Sequence, residues 1–360
     1  SALLKRYAAQ ASWQNAFAAL QALRRGRSHP SVFDYSTAIV ACNRGRRWQK
    51  ALALVGDIQR SAARADAAVY NAALAGCARA AALGPAARML REMDAHGVPP
   101  DIVTYNTLIA SHGQPAAGVW FDELLSRRLA PTLVTYNALL RAWERSHCWE
   151  RALDTLSKLS GQSFQPDVVT FIALIGACGA SSRWARALAL LSRELPRRGL
   201  QPNLAIYNMS ITACEKGSQW HVALGIIGDL LRSSAAPDVV TYSALVSACE
   251  KGYAWARAAG LLADMGARQV RPDVVTLNAL TSAFSQGHEW ARSLHTFEGL
   301  RRYVSRPGTI SYNALFTAFE RGHQWRRILG MLGGMRAACA CPDSVTYGAA
   351  ISACMQSRHW

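Results

Sequence analysis

The chain has 360 residues, 51% of them hydrophobic, and carries 40 Lys and Arg against 23 Asp and Glu, a formal charge of +17. No apolar run reaches the roughly 18 residues that cross a bilayer. So strong a basic balance in a chain without a membrane segment points to a polyanionic partner.

One phrase recurs along the chain: ITACEKGSQW ends at Trp220, VSACEKGYAW at Trp255, TSAFSQGHEW at Trp290 and FTAFERGHQW at Trp325, in steps of 35 residues. A second phrase keeps the same beat, with PDVVTY at Asp238, PDVVTL at Asp273 and PDSVTY at Asp343. A partial unit, 1–31, comes first and contains Trp13. Nine complete units follow at 32–66, 67–101, 102–132, 133–167, 168–203, 204–238, 239–273, 274–308 and 309–343, and a second partial unit covers 344–360. Trp13 stands 35 residues before Trp48, so both ends read as cuts through a longer protein, and no transit peptide is visible. Such units bury their apolar faces only by stacking on neighbours. The period therefore predicts an all-α array of helix pairs rather than a globular enzyme with one buried site.

Within each unit the first helix is expected to open near the Thr of V-V-T-Y-N as N-cap. A Gly such as Gly217, Gly252 or Gly322 is expected to end it. The second helix begins near the Trp and carries apolar residues at helical spacing, as in Ala223, Leu224, Ile227, Leu230 and Leu231. Pro100, Pro166, Pro202, Pro237, Pro272, Pro307 and Pro342 close their units, because Pro cannot continue a helix interior. Unit 102–132 is short. Its SHGQPAAG segment, with two glycines and Pro115, is expected to kink or loosen the stack.

Six of the nine cysteines (Cys42, Cys77, Cys178, Cys214, Cys249 and Cys354) occupy the eleventh place of their unit. Trp143, Phe284, Phe319 and His112 fill that place elsewhere, which marks it as a packing slot. Helices stack about 8–10 Å apart, beyond the Cα separation of about 7 Å that a disulfide tolerates. Cys339 and Cys341 form a lone C-x-C, and Cys148 is isolated. All nine read as reduced thiols, with no metal and no cofactor.

The pattern resembles the plain, 35-residue type of the pentatricopeptide repeat family. The resemblance rests on REMDAHGVPPD ending at Asp101, DIVTYNTLI from Asp101, PTLVTYNALL from Pro131, PDVVTFIALI from Pro166 and PDVVTYSALV from Pro237. It covers essentially the whole chain and implies a right-handed α-solenoid superhelix that binds single-stranded RNA at one base per unit, a mode described generally for such repeats. It also implies that the fifth and last residues of each unit read the base. These pairs are Ser36 with Asp66, Asn71 with Asp101, Asn106 with Thr132, Asn137 with Asp167, Ile172 with Asn203, Asn208 with Asp238, Ser243 with Asp273, Asn278 with Gly308, and Asn313 with Asp343. Chemically, an Asn amide offers both donor and acceptor, whereas a carboxylate only accepts. The competing reading is that these residues are helix caps.

By resemblance, Asn with Asp favours uridine, and Ser with Asp leans to guanosine. The pairs of Asn106, Ile172 and Asn278 depart from the pattern and are ambiguous. The resemblance also makes the second residues base-sandwiching: Phe33, Val103, Val134, Val169, Val240, Val275 and Ile310. For Ala68 and Ala205 in that place, plain helix-start packing is as good a reading. Arg44, Arg79, Arg145, Lys216, Lys251 and Arg321 share the thirteenth place. They form a cation ladder suited to phosphates, or else they complement helix C-termini. The recurring Trp reads as a hydrophobic wedge rather than a stacking platform.

The leading expectation is organellar RNA binding, in the chloroplast ahead of the mitochondrion. Its purpose would be RNA processing, stabilisation or translation, with other RNA-processing factors as further partners and no small-molecule substrate. Two alternatives remain. One is the targeting platform of an editing or nuclease enzyme whose catalytic domain lies outside the chain. The other is a peptide-binding scaffold of the tetratricopeptide kind. The chain has neither an H-x-E with C-x-x-C nor clustered carboxylates for metal-assisted catalysis, so the repeats themselves are not expected to be an enzyme.

Overall fold

A computed structural model describes residues 12–25, 30–60, 65–80, 82–111, 113, 116–162, 164–233, 235–303, 307–337 and 340–356. His112, Pro115, Cys339 and Trp360 lie outside the described residues. The described residues are helical and contain no strand. The first helices of the repeats are α2 (Val32–Arg44), α4 (Ala67–Arg79), α6 (Ile102–Ser111), α8 (Leu133–Arg145), α10 (Val168–Ala180), α12 (Leu204–Lys216), α14 (Val239–Lys251), α16 (Val274–Gln286), α18 (Thr309–Arg321) and α20 (Ser344–Gln356). The second helices are α1 (Trp13–Arg25), α3 (Trp48–Arg60), α5 (Leu83–Ala95), α7 (Ala116–Ser126), α9 (Trp149–Gly161), α11 (184–197), α13 (Trp220–Arg232), α15 (Trp255–Ala267), α17 (Trp290–Tyr303) and α19 (Trp325–Ala337).

The chain divides into two compact units, Ser1–Ala173 and Leu174–Trp360. In the first, α2, α4, α6 and α8 pack in succession; in the second, α12, α14, α16, α18 and α20 do the same. Successive second helices do not pack on one another in this way. The first helices therefore form the close-packed layer of each unit, with the second helices outside it. In short unit 102–132, His112, Gln114 and Pro115 of the segment expected to kink or loosen the stack lie outside the described residues. Helix α6 loses its last turn but still packs on α4 and α8.

The expected N-terminal limit shifts, whereas the expected stop is found: α12, α14 and α18 end directly before Gly217, Gly252 and Gly322. The N-cap is not the Thr of V-V-T-Y-N but the last residue of the preceding unit: Asp238, extended at φ −104°, accepts the Thr241 N–H. Asp66, Thr132, Asn203 and Asp273 cap in the same way, whereas Gly308 offers no side chain. At the other end, Gly217 (φ −86°), Gly252 (φ −93°) and Gly322 (φ −88°) are not left-handed. The left-handed turn falls one residue later, on Ser218, Tyr253 and His323.

The glycines serve packing instead. A Cβ on Gly217 would stand 2.5 Å from Trp184 Cδ1, and one on Gly322 2.7 Å from Trp290 Cδ1; Trp220 crowds Gly252 similarly. With Trp13 at Gly45 and Trp255 at Gly287, five tryptophans are thus wedges pressed on the first-helix end of the next repeat. Arginines cover three of these rings, Arg47 at 5.6 Å from the Trp13 centroid, Arg292 at 5.3 Å from Trp255 and Arg327 at 4.6 Å from Trp290.

Unit 168–203 has one extra residue, which the second helix absorbs as a π-turn at Leu190–Glu194. Cys42, Cys77, Cys178, Cys214 and Cys249 are buried free thiols, and Trp143, Phe284 and Phe319 are buried in the same slot. Burial pushes Cys77, Cys178, Cys214 and Cys249 up to about 11, which suits inert packing groups. The fourth residue is a buried Tyr in most repeats. The Tyr105 hydroxyl donates to Glu123 Oε1 at 3.2 Å, and that of Tyr136 to Gln162 Oε1 at 2.7 Å, tying first helix to second.

Candidate functional site

The four Asn/Asp pairs read from the sequence are joined in the structure by the same side-chain triad. Asn208 Nδ2 donates to Asp238 Oδ1 at 3.2 Å. The Thr241 hydroxyl oxygen lies 2.6 Å from Asn208 Oδ1 and 2.8 Å from Asp238 Oδ1, so one proton serves two acceptors. That hydroxyl also receives the Asp238 N–H at 3.3 Å, while Asp238 Oδ1 accepts the Thr241 N–H at 2.8 Å. The arrangement repeats in Asn71–Asp101–Thr104, Asn137–Asp167–Thr170 and Asn313–Asp343–Thr346.

The carboxylate has a division of labour. Its Oδ1 caps the helix and holds the amide, and in three of the triads Oδ2 makes no hydrogen bond among the described residues; Asp343 also receives Asn313 through Oδ2. The second Asn N–H is likewise left over. Each such site therefore presents a donor beside an anionic acceptor. Burial works to raise the carboxyls of Asp101, Asp167 and Asp238. The Thr backbone and hydroxyl together with the Asn amide outweigh it and hold all three below the usual carboxylate range. At Asp343 the Thr346 backbone N–H leads the same lowering. The acceptors are thus ionised at neutral pH.

The other five pairs are built differently. The Ser36 hydroxyl donates to the Phe33 carbonyl, and that of Ser243 to the Val240 carbonyl, so neither Ser is bonded to its Asp. Asp66 and Asp273 serve as caps. Thr132 and Thr135 cap each other and leave Asn106 Oδ1 buried without a partner; Asn278 Oδ1, opposite Gly308, is stranded in the same way. Ile172 has no polar atom, and Asn203 Oδ1 is taken by the Ile206 N–H.

Three residues before each fifth position, and so on the same helix face, stand Phe33, Val103, Val134, Val169, Val240, Val275 and Ile310. They are exposed, from 37% for Val169 to 75% for Ile310. Ala68 and Ala205 are exposed too. This excludes plain packing for the whole series and gives an apolar stripe in register with the polar triads.

The cation series is less uniform than its spacing implied. Lys251 Nζ makes an ion pair at 2.9 Å with Glu215, one repeat earlier. Arg145 donates to the Ala110 carbonyl exposed by the shortened α6, and Arg79 Nε to the Ala75 carbonyl of its own helix. Lys216 has no ion pair among the described residues. Arg44, Arg79, Arg145, Lys216, Lys251 and Arg321 are all solvent-exposed. Three parts of this site were missed in the sequence: the Thr of each triad, the Lys251–Glu215 link and the close approach of Trp to Gly. The recurring Thr of V-V-T-Y-N is the available signal for the first, although Asp34, Val69, Ile206 and Ser311 hold that place in other repeats.

The PPR repeat family matches residues 65–113, and the pentatricopeptide repeat domain matches residues 119–181, 190–251 and 260–321. The chain belongs to the pentatricopeptide repeat family. Among solved structures it is similar to the pentatricopeptide repeat protein PPR10 in complex with an 18-nt psaJ RNA element, at TM-score 0.58 and 21% identity over 99% of this chain and 57% of that one. It is also similar to PPR10 from maize, at TM-score 0.51 and 19% identity over 99% of this chain and 60% of that one. The chain thus spans less than two thirds of the length of these relatives, with which it shares the fold. No curated protein sequence matches it.

Proposed function

We propose that this chain binds single-stranded RNA sequence-selectively, one base per repeat. One observation carries the reading: the same donor–acceptor triad recurs in every Asn/Asp repeat, three residues from an exposed aliphatic side chain. Uracil suits that pair. Its edge runs acceptor–donor–acceptor, so an N–H beside a carboxylate can engage N3–H with O2 or O4 in either order, whereas cytosine offers only one N–H group at the end of its edge. The aliphatic residues of successive repeats would cover the two faces of the base and exclude water. RNA held by the PPR10 neighbours supports the same partner class.

On this reading the repeats at Asn71, Asn137, Asn208 and Asn313 select uridine, and the Ser36 and Ser243 repeats lean to guanosine through the resemblance. The exposed cations contact phosphates. No catalytic step is assigned to the repeats. Occupancy of a transcript is the activity, and we place it in an organelle, the chloroplast ahead of the mitochondrion, in RNA processing, stabilisation or translation with other RNA-processing factors. Sequencing RNA co-purified with the protein tests this. An enriched single-stranded motif with uridines at the spacing of those four repeats is expected; recovery of duplex RNA, or of no motif, contradicts it.

A further inference from the structure

We infer that the third residue of the following repeat (Thr104, Thr170, Thr241 or Thr346) is a specificity-determining positioning residue, which fixes the Asn amide with its N–H side toward the base. The inference rests on the proposed RNA reading. Each of these hydroxyls lies 2.6–2.7 Å from an Asn Oδ1, and each Thr is fully buried. An Asn amide has two faces that differ only in which end donates. The Asp carboxylate attracts the NH2 end, and the Thr hydroxyl holds the carbonyl end, so the two together exclude the flipped amide. With the flip, two acceptors would face the base, an arrangement that no longer complements uracil.

Two repeats show what happens without this lock. Asn106 has Thr135 in the corresponding place, but with Thr132 in place of Asp that hydroxyl turns to its cap partner. Asn278 faces a repeat with Gly308 and Ser311. In both, the amide oxygen is buried and unbonded, so nothing fixes the amide's sense. The reader is therefore a three-residue unit, and Thr works only when Asp aligns it.

The test uses the whole chain and RNAs that differ only at the nucleotide facing the Asn208 repeat. Thr241→Val keeps the shape and removes the hydroxyl; Thr241→Ser retains it. The uridine-to-cytidine affinity ratio should fall about fivefold in Thr241→Val, the scale of one hydrogen bond, and return in Thr241→Ser. Selectivity at the other nucleotides should not change. A merely structural Thr would lower affinity for all four RNAs together and leave the ratio intact, which overturns the inference while the RNA reading stands. If the unmodified protein shows no nucleotide preference at that position, the RNA reading fails first and the inference with it.

Discussion

Repeat 204–238 and repeat 102–132 both place an Asn at the fifth position and a hydrogen-bonding cap at the last, yet only the first builds the Asn–Asp–Thr triad. In 204–238, Asp238 caps α14 through Oδ1 and still has a carboxylate oxygen left, while Asn208 is held at both ends. In 102–132, Thr132 caps α8 equally well, but its single oxygen is spent on Thr135 and the Asn106 carbonyl is stranded. Capping and holding the Asn amide are thus separable duties of one position. Any of Ser, Thr, Asn and Asp performs the first, and in this chain Asp alone supports the second. The same contrast reaches the wedge. Repeat 102–132 opens its second helix with Ala116 instead of Trp, and the next repeat has Ser146 where Gly45, Gly217, Gly252, Gly287 and Gly322 stand in five others.

The largest expected effect comes from breaking the regular side of this comparison. Gly252→Val would drive a side chain into Trp220 and should destabilise the protein by about 2–3 kcal/mol. Gly228→Ala, with open space around it, should be neutral or stabilise by up to about 1 kcal/mol; chemical denaturation measures both. Next comes repair of the irregular side. Thr132→Asp should join Asn106 and Thr135 into a triad and sharpen uridine preference at that nucleotide about fivefold, read by competition binding. An unchanged preference would mean that the triad geometry does not set selectivity.

Smaller effects concern charge. Single-strand binding loses a log–log salt slope of roughly 0.7 per phosphate contact removed. Lys216→Met should flatten the slope by about that amount and weaken all sequences alike. Lys251→Met should flatten it less, because Lys251 is already engaged by Glu215. The smallest effect is that of pH. The triad carboxyls lie below the usual carboxylate range when folded, so their contribution is complete above pH of about 4 and fades only as pH falls through the lower folded value. Uridine preference should be flat from neutral pH down to about pH 5. A loss of preference in that interval would show that the carboxylates are not the acceptors.

The period, the helix pairs and the pairing of Asn with Asp were legible in the sequence, because each depends on residues at fixed spacing. The cysteine slot was legible for the same reason: Cys, Phe and Trp sharing one place announce packing. What escaped were contacts set by stacking. Thr241 meets Asn208 across 33 residues, and Lys251 meets Glu215 across 36, so neither follows from local pattern. Gly45, Gly217, Gly252, Gly287 and Gly322 were legible as helix stops, but their negative φ does not require glycine, and the choice of that residue was not legible. The cause at each of the five is a Trp from the preceding repeat.

One binding assay tests the central claim most directly, using four RNAs that differ only at the nucleotide facing Asn208. The repeat has regular length, and the Asn208–Asp238–Thr241 triad is complete. In the family that the chain resembles, Thr with Asp favours guanosine, so Asn208→Thr should move the preference from uridine toward guanosine by about 1 kcal/mol and leave other positions unchanged. Equal loss of affinity for all four RNAs would contradict the claim and reduce Asn208 and Asp238 to a helix-entry structure.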